Sequence, residues 1–188
     1  MICAQEAHAQ LALEKVLFLP VGEAPHRVME GNPGAELRVR MCEQAVEGDP
    51  RFEVSRVEAD RSGPSYTGDT LRLLRERAPD DHLTVILGAD QASRLPCWRE
   101  PEAVLTLATV AVAARGGLER EAVMRRIDSL AGSDRVAFFD MPRIDISSSL
   151  VRERAASGRP IRYLLRDKVA DFVEAESLYR ASRAESAK

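Results

Sequence analysis

Leu83-Thr84-Val85-Ile86-Leu87-Gly88-Ala89-Asp90 is a short, almost wholly apolar run that stops at a glycine and a carboxylate. Apolar at successive positions, it reads as a strand covered on both faces, and strands of that kind belong to parallel sheets. The glycine and carboxylate fall at its carboxyl end, where doubly wound sheets hold their ligands.

The same alternation continues on both sides of that run. Immediately upstream, Arg61-Ser62-Gly63-Pro64-Ser65-Tyr66-Thr67-Gly68-Asp69-Thr70 is a loop that turns into a helix over 71–77, with Thr67 expected as its cap and Asp69 in its first turn. Before it, Phe52-Glu53-Val54-Ser55-Arg56-Val57 alternates like a half-exposed strand, and a helix ended by Asp49-Pro50 carries Leu37, Met41, Cys42, Ala45 and Val46 on one side. Val16-Leu17-Phe18-Leu19-Pro20 is a further strand, preceded over 1–13 by a helical stripe with no capping residue ahead of it. Helix followed by buried strand is the second half of a βαβ unit. Downstream, Leu95-Pro96-Cys97-Trp98-Arg99 is a loop holding the single tryptophan, followed by a helix over 101–107, an apolar strand over 109–113 closed by Arg115-Gly116-Gly117, a helix over 119–130 and a strand over 135–142. A last helix or helix pair over 161–179 places Leu165, Val169, Phe172 and Val173 on one face. The pattern predicts an α/β fold, a mostly parallel sheet with helices on both faces. It also predicts a single domain over 1–180 and a disordered tail over 181–188.

Composition narrows the function. With 45% hydrophobic and 30% charged residues in 188, the chain has soluble globular usage and enough length for a core without disulfides or metal staples. A formal net charge of −3 excludes a global basic field for nucleic acid. Locally, however, 143–168 holds seven basic residues (Arg143, Arg152, Arg154, Arg159, Arg162, Arg166, Lys168) against three acidic ones (Asp145, Glu153, Asp167), an excess of 7 − 3 = +4. That suits a small phosphorylated ligand or, alternatively, a solvated helix face. Cys3, Cys42 and Cys97 are too scattered for a disulfide framework or a zinc site, and no apolar run approaches membrane-spanning length, so a cytoplasmic protein with no membrane partner is expected.

Within the basic segment lies Asp145-Ile146-Ser147-Ser148-Ser149-Leu150-Val151-Arg152. Hydroxyls, the unpaired N–H groups of a helix start and a fixed guanidinium within one turn suit phosphate. Serines at that position are equally ordinary N-caps.

Pro25-His26-Arg27, Ser65-Tyr66-Thr67-Gly68-Asp69-Thr70, Gly88-Ala89-Asp90, Trp98, Arg115-Gly116-Gly117, Ile146-Ser147-Ser148-Ser149-Leu150-Val151-Arg152 and Tyr163-Leu164-Leu165 follow one another as in the bacterial nicotinate-nucleotide adenylyltransferases, which the chain resembles over nearly its whole length. The resemblance implies a Rossmann-like nucleotidyltransferase fold and adenylyl transfer from ATP to nicotinate mononucleotide, giving the dinucleotide precursor of NAD and pyrophosphate. It implies ATP binding by Ser147, Ser148, Arg152, Gly88 and Asp90. It implies nicotinate mononucleotide binding by His26, Arg27, Tyr66, Thr67 and Trp98, with the indole stacked on the pyridine ring. Mg2+ would arrive with ATP, no dedicated metal ligands are expected, and the molecule would be a monomer or homodimer. By themselves the same residues have plainer readings: Trp98 as a surface-loop anchor, Tyr66 and Thr67 as turn and cap, Asp90 as a helix cap, His26 as an exposed imidazole.

The sequence departs from the family in one main respect. The family's Gly-rich first turn with its His-x-Gly-His motif, whose histidines bind the ATP phosphates, is not found, so no catalytic residue is assigned and an opening strand with that motif is expected upstream of Met1. Arg27 stands where lysine is usual, Gly116 where proline usually follows the arginine, and Arg166 where proline follows the two leucines. Two alternatives to the adenylyltransferase stay open: a nucleotide-binding remnant without catalysis, and a related enzyme using nicotinamide mononucleotide or phosphopantetheine as acceptor.

Overall fold

The apolar runs become strands and the striped segments helices, as the alternation requires. The computed structural model describes residues 1–23, 32–114 and 116–180, without the side chain of Leu118. The elements are α1 (Ile2–Gln10), β1 (Val16–Phe18), α2 (Ala35–Val46), β2 (Phe52–Val54), α3 (Thr67–Arg77), β3 (Thr84–Gly88), α4 (Ala89–Ala92), α5 (Pro101–Leu107), β4 (Thr109–Ala114), α6 (Gly117–Ile127), β5 (Val136–Asp140), α7 (Ser148–Ala156) and α8 (Asp167–Ala175). They divide into two compact units, Met1–Val16 with Pro64–Arg143 and Leu17–Gly63 with Ile144–Lys188.

The first unit is built on a parallel sheet in the order β3-β4-β5, with Val85 opposite Val110 and Val112 opposite Phe138. Because successive side chains leave a strand on opposite faces, β4 feeds two cores. Val110 and Val112 join Leu95, Leu105, Val123 and Ile127, all at most 1% exposed, from the chain that carries α5 and α6. Ala111 faces the other way, with Phe139 and with Ala7 of α1, and the two alanines let that helix lie close. Each fully buried Leu, Ile or Phe contributes about 1.5–3 kcal/mol. Helices therefore cover both faces of the parallel sheet, the expected α/β arrangement. Among the described residues β3 pairs with β4 alone, and none of its residues is fully buried. Gly132 turns the chain at φ +88, a left-handed conformation that favours glycine, and a Cβ there would stand 3.1 Å from that of Leu105.

The second unit holds β2 and, from Leu17 on, its partner strand β1, and the Phe18 and Phe52 rings meet edge to face at 5.9 Å. Its larger core is helical. Val151 and Ala155 of α7, Ala170 and Val173 of α8, and Ile161 and Leu178 form the buried centre, with Leu37 and Met41 of α2 and Leu165, Val169 and Phe172 against it. The Arg38 guanidinium donates to the Val21 and Gly22 carbonyls and so ties the chain after β1 to α2. At Gly22 a Cβ would collide with the Glu58 carbonyl oxygen.

Several local expectations are corrected. Thr67 does not cap α3: it is the first helical residue, and Tyr66, extended at φ −97 and ψ 135, holds the N-cap position without a side-chain cap bond. Asp90 does not end the strand, which stops at Gly88, but stands in the first turn of α4. The α2 helix ends at Val46, before Asp49-Pro50, because Glu47 (φ −52, ψ 130) already leaves the helical region, and Gly48 then turns left-handed at φ +82. On α2 the fully buried residue is Val39, while the predicted stripe is half-buried.

Candidate active site

In the first unit the carboxyl end of β3 and the amino end of α3 carry the predicted ligand residues. Gly88 is exposed, and a Cβ added to it would meet no atom of the described residues within 4 Å. Asp90, two residues on, is exposed, while its neighbour Ala89 anchors α4 in the core. At the start of α3, Tyr66 and Thr67 are half-buried, and the buried Thr70 hydroxyl donates to the Tyr66 carbonyl at 3.3 Å, fixing the first turn. The Ser65 hydroxyl oxygen just ahead is buried with no hydrogen-bond partner among the described residues.

The tryptophan loop is anchored by a residue that sequence periodicity missed. Leu95, read as loop, is completely buried and opens a short 3-10 turn through Cys97. Trp98 is half-buried at the margin of that core, so it is neither a free surface side chain nor simple core. The two residues after it are tied to α3. The Arg99 guanidinium lies over the Tyr66 ring, 4.7 Å from its centroid, and approaches Asp69 at 3.8 Å. Arg72 forks between Asp69 at 3.0 Å and Glu100 at 3.0 Å. Hydrogen bonding to Glu100, then its charge, raises the Arg72 pKa above the ordinary guanidinium value. Tyr66, Thr67 and the loop bearing Trp98 are thus brought together within one unit. Arg72 and Glu100 are separated by 28 residues, and nothing in their local sequence signals the pairing.

In the second unit α7 starts where the serine run predicts. Ser147 is its N-cap, and the Ser147 Oγ accepts the Leu150 N–H at 3.1 Å. A hydroxyl so engaged keeps its own O–H as a donor, so capping and phosphate contact are compatible uses of one side chain. Ser148 is exposed at the first helical position. Arg152 is half-buried and donates to Ser149 Oγ at 3.3 Å, while the buried Val151 and Ala155 hold the opposite face. The first turn therefore offers N–H groups, hydroxyls and one guanidinium together. Predicted residues His26 and Arg27, together with Arg115, lie outside the described residues. Among the described residues there is no group of three or more His, Cys, Asp or Glu that could hold a metal ion, and no helix is long and apolar enough to cross a membrane.

Residues 1–154 match the cytidylyltransferase-like family. A probable nicotinate-nucleotide adenylyltransferase of Roseiflexus sp. (strain RS-1) is 41% identical over 94% of this chain and 88% of its own length. The nicotinate-nucleotide adenylyltransferase of Bacillus subtilis (strain 168) is 34% identical over 96% of this chain and 90% of its own. Among solved structures, a Plasmodium falciparum nicotinic acid mononucleotide adenylyltransferase complexed with NaAD shares the fold, with a TM-score of 0.72 at 14% identity over 94% of this chain and 90% of that one. The chain is therefore a member of the cytidylyltransferase-like family and, within it, of the nicotinate-nucleotide adenylyltransferases.

Proposed function

We propose that this protein transfers the adenylyl group of ATP to nicotinate mononucleotide, forming deamido-NAD and pyrophosphate in NAD biosynthesis. A phosphate oxygen of the mononucleotide attacks the α-phosphorus of ATP, a new P–O bond forms, and the bond from the α-phosphorus to the bridging oxygen breaks as pyrophosphate leaves. No protein nucleophile is needed, so the protein contributes alignment and charge stabilisation. The observation that supports the acceptor side best is the tethering of the Trp98 loop beside Tyr66 and Thr67 through Arg99 and Arg72. The Trp98 indole would stack on the pyridine ring while Tyr66 and Thr67 frame its carboxylate.

On the ATP side, Ser147, Ser148 and Arg152 would take the phosphates, and Gly88 and Asp90 would meet the nucleotide at the end of β3. His26 and Arg27 would serve the acceptor phosphate by resemblance alone. Mg2+ would enter on the phosphate oxygens of ATP and neutralise charge there. The ion would be held by the triphosphate itself, so the protein need supply few or no carboxylates of its own.

The test is pyrophosphate release from ATP with nicotinate mononucleotide, nicotinamide mononucleotide or phosphopantetheine as acceptor. The highest kcat/KM is expected with the nicotinate compound, and a higher value with either other acceptor overturns the assignment. Saturable binding of ATP and nicotinate mononucleotide with no pyrophosphate release from any acceptor would instead favour the non-catalytic alternative.

A further inference from the structure

The backbone just beyond Trp98 is held in a conformation that its own sequence disfavours. Glu100 stands at φ 52 and ψ 57, left-handed, immediately before Pro101. A side-chain-bearing residue rarely adopts that region, and a following proline pushes its predecessor toward extended backbone as well. Such a conformation persists only where its surroundings impose it. Two sets of contacts surround it: the Glu100 carbonyl accepts the Ala103 and Val104 N–H groups at the start of α5, and Arg72 meets both Glu100 carboxylate oxygens, at 3.0 and 3.3 Å, and Asp69 at 3.0 Å with the same guanidinium. Between these residues, Arg99 rests on the Tyr66 ring and lies 3.9 Å from Glu100. The Arg72 and Glu100 side chains are 40% and 47% exposed, and ion pairs that open to water add little to overall stability. The fork joins the residue two positions after Trp98 to the first turns of α3 without being a main support of the fold.

We propose that Arg72 is a positioning residue for the acceptor: through Glu100 and Asp69 it sets the stance of Trp98 relative to Tyr66 and Thr67, and so the slot into which a flat pyridine ring fits. The proposal rests on the reading of Trp98, Tyr66 and Thr67 as acceptor residues. Arg72 touches no acceptor atom in this account. Its guanidinium is suited to the task because a planar fork meets two carboxylates along fixed directions, whereas an ammonium, with three freely rotating donors, sets no such geometry.

The test uses the full chain and its single tryptophan as reporter. Nicotinate mononucleotide is titrated while Trp98 fluorescence is followed, ATP binding is measured by calorimetry, and the urea midpoint is recorded for each variant. For Arg72→Met, the dissociation constant for nicotinate mononucleotide should rise about tenfold while that for ATP stays within about twofold and the urea midpoint scarcely moves. Arg72→Lys should fall between the two, and Glu100→Gln should follow Arg72→Met. An unchanged acceptor constant in both Arg72→Met and Glu100→Gln overturns the proposal, as does equal weakening of acceptor and ATP, which a merely structural role would produce. A fluorescence response that is absent even in the unmutated chain overturns the acceptor reading together with the proposal, so the two failures are told apart.

Discussion

Gln10 and Asp140 exchange two hydrogen bonds: the Gln10 amide nitrogen donates to the Asp140 carbonyl oxygen at 2.9 Å, and the Asp140 N–H donates to Gln10 Oε1 at 2.9 Å. A side chain at the end of α1 thereby completes the peptide ladder at the end of β5, as a neighbouring strand would. Both groups are exposed, so water offers partial replacement. Gln10→Ala should lower stability in urea by about 1–2 kcal/mol, near the net value of two hydrogen bonds. Gln10→Glu keeps the acceptor, loses the donor and brings a second carboxylate near Asp140. It should be no more stable than Gln10→Ala at neutral pH, and a stability equal to the unmutated chain would show that the pair contributes nothing.

Trp98 combines packing and recognition. If its exposed part carries the pyridine ring, Trp98→Ala loses a stacking contact of about 1–3 kcal/mol, or roughly 5- to 150-fold in acceptor affinity. Trp98→Phe keeps an aromatic face and should retain most of it. Calorimetric titration with nicotinate mononucleotide and separately with ATP makes the comparison. A loss shared equally by both ligands would mean that the indole merely supports the core through its contact with the Leu95 cluster.

Ser147 allows capping to be separated from phosphate binding. Ser147→Ala removes the acceptor for Leu150 N–H and should cost about 1 kcal/mol of stability. Ser147→Asp caps as well as serine but places a negative charge where the triphosphate is proposed to lie. It should unfold at nearly the unmutated urea concentration yet bind ATP about tenfold or more weakly. Normal ATP affinity in Ser147→Asp would reduce Ser147 to its capping role.

How far the chain could be read in advance depends on whether the cause is local. The strands β3 and β4 were legible because runs such as Val85-Ile86-Leu87 and Val110-Ala111-Val112 are apolar at successive positions, which few other structures tolerate. The serine start of α7 was legible because Ser147 bonds within its own turn. The sequence does not single out Tyr66 over Thr67 as the cap of α3, because either of two adjacent residues can occupy that position, and the extended backbone at Tyr66 decides which one does. The proline after Leu95 marks a loop in the sequence and hides that the leucine side chain is wholly buried. The Arg72 fork and the Gln10 pairing join residues 28 and 130 positions apart, and such meetings are products of the fold rather than of any local pattern.

Asp49 provides a pH probe in the second unit. Arg51 donates from its side chain at 2.7 and 2.9 Å and from its backbone N–H at 3.2 Å, and these hydrogen bonds hold the Asp49 carboxyl down at about 2. A carboxyl depressed in the folded state contributes stability above its unfolded value, and that contribution disappears as pH falls through the folded one. The thermal midpoint should therefore drop between about pH 4 and pH 2, and Asp49→Asn should flatten that part of the profile. Identical acid limbs in the two proteins would assign the drop to other carboxylates. The effect should be small, since the Arg51 side chain is 40% exposed.

Among the described residues β3 is hydrogen-bonded to β4 alone, and Val85, Ile86 and Leu87 are all half-buried. A sheet edge accepts any extended segment that can present complementary N–H and C=O groups. The half-buried side chains of β3 would be covered by the same apolar alternation that packs β4. Any segment that paired there would therefore bear on the strand that carries Gly88 to the site, so covering this edge and shaping the nucleotide end of the sheet are one and the same event.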